Sequence, residues 1–295
     1  METRKLGGTD MVVTRLGFGG ARIGFEKSSE DEVGRLLNGM LDAGVNFIDT
    51  AACYDGSEEL IGNAIGSRRT EYYLVTKAGH VVGDATGEPY SHDVISSSID
   101  RSLERLKADV LDLVQLHSCS VAVLRQGEAA AALAEARDAG KTRYIGYSGD
   151  GAAALEAIRM GVFDTLQTSF NLVDQSAAEE IFPAAIAQGM GIIAKRPIAN
   201  GAFDRDASPY GYADEYWRRS NSLTAPDGAP GDRVEFSLRF TLSFDEVDTA
   251  ILGTSNADHA VANVSLAEAG PLDASIVSDV RKQFRQYGGA WTQLT

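Results

Sequence analysis

Two cysteines, Cys53 and Cys119, are too few to staple a chain of 295 residues. A disulfide scaffold is excluded, and both are read as free thiols in a reducing compartment. Long apolar runs are missing as well. No stretch reaches the roughly 18 residues of a membrane-spanning helix, and the opening METRKLGGTD lacks the apolar core of a secretory signal. Together these absences predict a cytoplasmic protein with no membrane partner. Positive charge is scarce: 27 Lys and Arg against 42 Asp and Glu leave a formal charge of −15. No Lys/Arg cluster overrides that field, which repels nucleic acid and anionic lipid, so nucleic acid is not an expected partner. An anionic ligand therefore needs a local positive pocket. The chain also lacks linker-like composition shifts, internal repeats and low-complexity tracts, and residues 1–295 are read as one domain.

What is present is a regular alternation, in a chain whose 44% hydrophobic content can bury a large core. The segment SSEDEVGRLLNGMLDAG carries Ser29 and Glu32 at capping-box spacing. It lines one helical face with Val33, Leu36, Leu37, Met40 and Leu41 and stops at Gly44. Eight strand-like runs are found: RLGFG (15–19), VNFID (45–49), YYLVT (72–76), LDLVQL (111–116), TRYIGYS (142–148), DTLQTSF (164–170), MGIIA (190–194) and VDTAIL (247–252). Helical patterns or long loops separate them. Near-continuous apolar strands between amphipathic helices signal a parallel sheet covered on its outside. Eight such units in this length predict a closed (β/α)8 TIM barrel. An open doubly wound sheet is disfavoured, because no GxGxxG follows the first strand. Before that strand, RKLGGTDMVV has a Gly-Gly turn between short alternating runs and is read as a hairpin capping the barrel bottom. The longest irregular stretch, 199–232, follows the seventh strand and so belongs to the C-terminal mouth, where barrel enzymes bind substrate.

That topology changes the meaning of FIDTAACY (47–54). Taken alone, Asp49 is a turn-former and Tyr54 a packing residue. In a barrel, Asp49 ends the second strand and Tyr54 follows it, while Lys77 ends the third strand and His117 the fourth. Four titratable side chains then converge at one mouth. A phenol with a pKa near 10 is a poor acid at neutral pH. At about 4 Å, a lysine ammonium favours its phenolate by on the order of 4 kcal/mol at an effective dielectric of about 20, or roughly three pKa units. Asp49 holds Lys77 charged and oriented, and His117 offers a hydrogen bond to a carbonyl oxygen. No nucleophile with its own base and no metal cluster is evident. Proton donation to a polarised carbonyl remains, and it needs a hydride source.

These residues resemble the aldo-keto reductase family along essentially the whole chain: LGFGG, NFIDTAACYDGSEELIGNAI, LVTK, DLVQLH, GKTRYIGYS, LQTSFNL, KRPIANG and ILGTSNADHAVANV. The resemblance implies that Asp49, Tyr54, Lys77 and His117 form a catalytic tetrad with Tyr54 as general acid in carbonyl reduction and base in alcohol oxidation. It also implies an extended nicotinamide cofactor without a Rossmann motif, NADP(H) with NAD(H) as the alternative. The implied cofactor contacts are Gly20 with the adjoining Ala21, then Ser148 and Gln167 at the nicotinamide carboxamide, and Gly253, Thr254, Ser255, His259 and Asn263 around the last strand and helix.

Three departures from the family pattern bear on that cofactor. Gly149 stands where Asn is frequent. Lys195-Arg196-Pro197 replaces the usual aromatic after strand seven, and these two cations are expected on the pyrophosphate or an acidic substrate. Gly253 and His259 stand where many NADPH-specific members carry Lys and Arg, which predicts weak discrimination against NADH. Tyr210, Tyr212, Tyr216 and Trp217 in the 199–232 loop are candidate stacking groups for a sugar or aryl aldehyde. The substrate class is a small carbonyl compound or alcohol, and the oligomeric state is open. Two alternatives are a cofactor-sensing auxiliary subunit of a channel, disfavoured by the short N-terminal segment, and a Schiff-base aldolase using Lys77, disfavoured by the neighbouring Tyr54 and Asp49.

Overall fold

The computed structural model describes residues 1–294. β1 (Thr3–Lys5) and β2 (Val12–Thr14) form an antiparallel hairpin with Thr3 opposite Thr14. Eight parallel strands follow: β3 (Leu16–Gly19), β4 (Phe47–Asp49), β5 (Tyr73–Ala78), β6 (Leu111–His117), β7 (Thr142–Ser148), β8 (Thr165–Ser169), β9 (Gly191–Lys195) and β10 (Thr249–Leu252). Each pairs with the next, and β10 returns to pair with β3, so the sheet closes and has no edge. All eight expected strands are present, and the architecture is the expected (β/α)8 TIM barrel.

The helices are α1 (Ala21–Phe25), α2 (Glu30–Asp42), α3 (Ser57–Ile65), α4 (His92–Leu106), α5 (Val121–Gln126), α6 (Glu128–Asp138), α7 (Gly151–Met160), α8 (Ile181–Ala187), α9 (Asp214–Ser220), α10 (Arg233–Leu242), α11 (Ala257–Glu268) and α12 (Ala274–Tyr287). The α2 helix forms as its sequence dictates. Ser29 and Glu32 make the reciprocal capping box, the five apolar residues face inward, and the chain turns at Gly44 with φ of 83°. The α12 helix was not expected, although its buried Ile276, Val280 and Phe284 stand at clear i, i+4, i+8 spacing. The short helices α1, α5 and α9 carry too few turns for periodicity to be read. Among the described residues no helix is long and apolar enough to cross a membrane.

The hairpin plugs the barrel end from which the strands start. Leu6, Met11 and Val13 are fully buried in a cluster with Phe47, Val75, Leu113, Ile193 and Ile251, separate from the larger cluster between barrel and helices. Gly7 makes that insertion possible. Its φ is +50°, and an added Cβ would stand 2.1 Å from the Gly191 nitrogen. The amides of Asp10 and Val12 donate to the hydroxyls of Tyr144 and Tyr73, so the plug is also hydrogen-bonded to the strands it closes. The opposite end, with the strand C-termini, is left for chemistry.

Leu6→Ala should lose about 2–5 kcal/mol in a denaturant titration, because the cavity it leaves lies in a closed barrel. Turnover of the folded variant should be unchanged, since the plug is at the far end. An unchanged midpoint would show that the hairpin contributes no packing.

Candidate active site

Adjacent strands carry the four expected residues to one mouth. Asp49 ends β4, Lys77 lies in β5 opposite Gln115, and His117 ends β6 opposite Ser148. Lys77 is 1% exposed, and its ammonium donates to Asp49 Oδ2 at 2.6 Å and to the Thr50 carbonyl at 2.8 Å. Burial works against the ammonium, but Asp49, with Tyr54 and Cys53 adding to it, holds Lys77 above its ordinary pKa, so it stays charged. Lys77 Nζ is 5.2 Å from the centroid of the Tyr54 ring, and the His117 ring stands edge-on to Tyr54 at 5.7 Å. The structure thus brings the tetrad together.

One expectation is corrected. Lys77 was expected to pull the Tyr54 phenol well below its usual pKa, but burial pushes it up and Lys77 opposes only in part, with Asp49 adding to the rise. A desolvated phenolate costs more than one ammonium returns when that ammonium is already paired to a carboxylate. Tyr54 is therefore protonated at neutral pH. Burial, then Lys77, His80, Lys195 and Arg196, hold His117 well below the usual imidazole pKa, so its ring is neutral and keeps one N–H to donate. Cys53 Sγ lies 3.3 Å from His117 Nδ1, and the Tyr90 hydroxyl donates to the His117 carbonyl. Burial raises both thiols, Cys119 to about 12, so neither is a reactive thiolate.

The expected cofactor residues divide into two groups. Ser148 and Gln167 are buried side by side: the Ser148 hydroxyl donates to Gln167 Oε1 at 3.0 Å, and Gln167 Nε2 donates to Asp49 Oδ1 at 2.9 Å. Gln115 reaches the same oxygen at 3.4 Å. Gly149 has a local cause, since an added Cβ would stand 2.4 Å from the hydroxyl of Tyr147, which fills the space an Asn side chain would need. Gly20 is held against Asp49 and Ser57, and the next residue, Ala21, starts α1.

The second group lies across the mouth. Gly253 packs on the Gly19 carbonyl, Ser255 donates to Glu26 Oε2 at 2.5 Å, and Glu26 pairs with Arg22. Asn256 caps α11, accepting from the amides of Asp258 and His259. His259 is exposed, while Asn263 is buried at 8% exposure.

Lys195 and Arg196 both point inward. Lys195 pairs with Asp150 at 2.8 Å, and Asp150 in turn accepts from Thr168 Oγ1 and the Ser169 amide. The Arg196 guanidinium donates to the Leu294 carbonyl at 2.8 Å and stacks over Tyr212 at 5.4 Å. In the long loop, Tyr210 and Tyr212 are 40% and 67% exposed, with the Arg22 guanidinium over the Tyr210 ring. Tyr216 is not available for stacking. It is fully buried and donates its hydroxyl to Asp174 Oδ2, while Trp217 is half-buried and tied to the Arg205 carbonyl. Phe25 is 61% exposed, edge-on to Tyr54 at 5.5 Å, and escaped the sequence reading together with Gln115, Asp150 and Asp174. No short-range pattern marks these four, because their partners are distant in the chain.

A buried acid, a neutral imidazole and a locked ammonium can move one proton and polarise one oxygen, and with this fold they place the chain among barrel oxidoreductases. The Aldo/keto reductase family model matches residues 15–283, and the chain belongs to that family. Over 300 residues it is 27% identical to an L-galactose dehydrogenase of Arabidopsis thaliana, covering 95% of this chain and 93% of the relative. It is 28% identical to a D-threo-aldose 1-dehydrogenase of a Pseudomonas species, over 86% of this chain and 91% of that one. The holo form of the aldo-keto reductase AKR11C1 from Bacillus halodurans superposes with a TM-score of 0.82, at 28% identity over 96% of both chains.

Burial raises the Asp174 carboxyl to about 7. An acid with a raised folded pKa contributes stability that is fully present below its unfolded value near 3.8 and is lost as pH rises through about 7. The unfolding free energy from urea titrations should therefore fall across that window by on the order of 4 kcal/mol, and Asp174→Asn should flatten the slope. A variant retaining the full wild-type slope would place the titrating group elsewhere.

Proposed function

We propose that this protein is an NAD(P)H-dependent reductase of small aldehydes or ketones, or the corresponding alcohol dehydrogenase, with Tyr54 as the proton donor. The observation that carries the reading is the buried Lys77 ammonium, fixed by Asp49 at 2.6 Å and facing the Tyr54 ring at 5.2 Å. The donor set suits a nicotinamide: the Ser148 hydroxyl and Gln167 amide match the donors and acceptors of a carboxamide, and both are buried at the mouth. The bound cofactor supplies the hydride. Everything else falls to side chains. His117 donates its N–H to the carbonyl oxygen and fixes the reacting face, and Tyr54 passes its phenolic proton to the oxygen as negative charge develops there. Lys77 stabilises the phenolate left behind, and Asp49 keeps Lys77 in place for the next cycle.

The activities for which the two sugar-acting relatives are named, with the exposed phenols of Tyr210 and Tyr212 at the mouth, support aldoses and related hydroxylated carbonyl compounds as the substrate class. Tyr54→Phe should lower kcat by about 10²–10⁴-fold while leaving cofactor dissociation constants nearly unchanged. Because Tyr54 is raised and His117 lowered, reduction should show no inflection between about pH 6 and 9, and oxidation should rise with pH as phenolate forms. Full turnover by Tyr54→Phe on a panel of aldoses, aldehydes, ketones and secondary alcohols would reject Tyr54 as the acid.

The cofactor is NADP(H) with weak discrimination against NAD(H). Beside Gly253, Thr254, Ser255 and His259 the Glu26 carboxylate accepts from Ser255 and is paired with Arg22. A 2′-phosphate there gains amide and hydroxyl donors from the α11 N-terminus but meets an anion. The preference for NADPH should stay below about a hundredfold, roughly 2.7 kcal/mol, and Glu26→Gln should move it toward NADPH by about three- to tenfold. Dissociation constants from fluorescence titration decide this, and a larger wild-type preference would overturn it.

A further inference from the structure

We propose that Cys53, His80 and His117 form a binding site for a thiophilic divalent cation of the zinc class, whose occupancy closes the mouth to carbonyl substrates. One sulfur and two ring nitrogens, one from each residue, lie within 4.8 Å of one another. They make the only such His/Cys/Asp/Glu group among the described residues. A tetrahedral ion with bonds of about 2.3 Å to sulfur and about 2.0 Å to nitrogen needs ligand separations of roughly 3.3–3.6 Å. Cys53 Sγ and His117 Nδ1 are already 3.3 Å apart. The remaining approach is on the order of an ångström, and the His80 ring, now nearly parallel to His117, turns out of the stack by side-chain rotation to aim its nitrogen at the same ion. A thiolate with two imidazoles selects zinc, cobalt or copper over magnesium or calcium and leaves the fourth position to water.

The closeness is built by three separate segments of the barrel. Cys53 comes from the loop after β4, His80 from the loop after β5, and His117 from the end of β6. Gly79 sets the middle one: its φ is +127°, and an added Cβ would stand 2.4 Å from the Tyr90 ring, which packs there and donates its hydroxyl to the His117 carbonyl. His80 is thereby laid over His117, ring centroids 4.7 Å apart and planes inclined by 12°, with Tyr90 edge-on at 5.7 Å. All three ligands are half-buried, accessible from the mouth yet partly shielded from water. The proton transfer proposed above uses neither Cys53 nor His80.

Binding is balanced without a redox change. The Cys53 S–H bond breaks, its proton leaves to solvent, a sulfur–metal bond forms, and the two neutral imidazoles each donate a lone pair. The ion and its bound water then stand at the mouth beside the His117 ring that a carbonyl oxygen approaches, so inhibition competes with the carbonyl substrate. That inhibition rests on the proposed function, whereas binding does not.

The test is a calorimetric titration of the chelator-treated full chain with zinc chloride, in the wild type and in Tyr54→Phe. One equivalent should bind with a micromolar or tighter constant in both. Cys53→Ser and His80→Gln should each weaken it at least tenfold, with melting temperatures reported alongside. Cobalt(II) added to the wild type should give a thiolate-to-metal charge-transfer band, a readout independent of any variant. Zinc should raise the apparent KM for the carbonyl substrate, and EDTA should reverse the effect. Absence of binding, affinity unchanged in both ligand variants, a cobalt complex without the thiolate band, or zinc leaving that KM unaltered would each overturn the proposal. Full turnover by Tyr54→Phe would remove the proposed acid and leave the binding result intact.

Discussion

The buried ion pair between Lys77 and Asp49 is the constraint around which the mouth is organised. Two charges removed from water are tolerated only when their remaining hydrogen-bonding capacity is satisfied. Here the Thr50 carbonyl accepts a hydrogen bond from a second N–H of the ammonium, and Gln167 donates to the other carboxylate oxygen. Ser148 in turn donates to Gln167, so one chain of hydrogen bonds links β4, β5, β7 and β8 across the barrel. Tyr54 and His117 then sit in a field that is already set, one kept protonated by burial, the other kept neutral by burial and nearby cations.

A second network flanks the first and explains why the unusual cations after β9 are tolerated. Lys195 is compensated by Asp150, and the Arg196 guanidinium donates to the Leu294 carbonyl and is stacked on the Tyr212 ring. The C-terminal segment joins in: Gln293 accepts from the Gly151 amide and donates to Thr168, while the Leu294 amide donates to Asp174. The far end of the chain thus braces β8, β9 and the long loop together. In a protein of charge −15, Lys195 is balanced by Asp150, while the Arg196 guanidinium is met by neutral oxygens and a ring and keeps its positive charge at the mouth.

Much of this was legible from the sequence. Eight apolar runs became eight strands because each is short and bounded by turn residues and all but RLGFG carry β-branched residues, and the α2 capping box formed because its two partners are three residues apart. The convergence of Asp49, Lys77 and His117 followed from strand count alone, since every parallel strand of a closed barrel ends at the same mouth. The direction of the Tyr54 shift was not legible, because it compares desolvation with a single ion pair and desolvation depends on everything packed around the ring. Tyr216 read as a possible stacking group because nothing near it in sequence reveals Asp174, 42 residues earlier in the chain.

The sequence by itself therefore determined the barrel, its plugged end and the identity of the four groups at the other end. All of these depend on local periodicity and on a topology that leaves little freedom. Only the tertiary structure decided what each group's neighbours are. It paired Lys195 with Asp150, set Tyr147 into the space beside Gly149 and laid His80 over His117 beside Cys53. Those contacts join residues far apart in the chain, and their energies come from burial and distance, which no local pattern encodes.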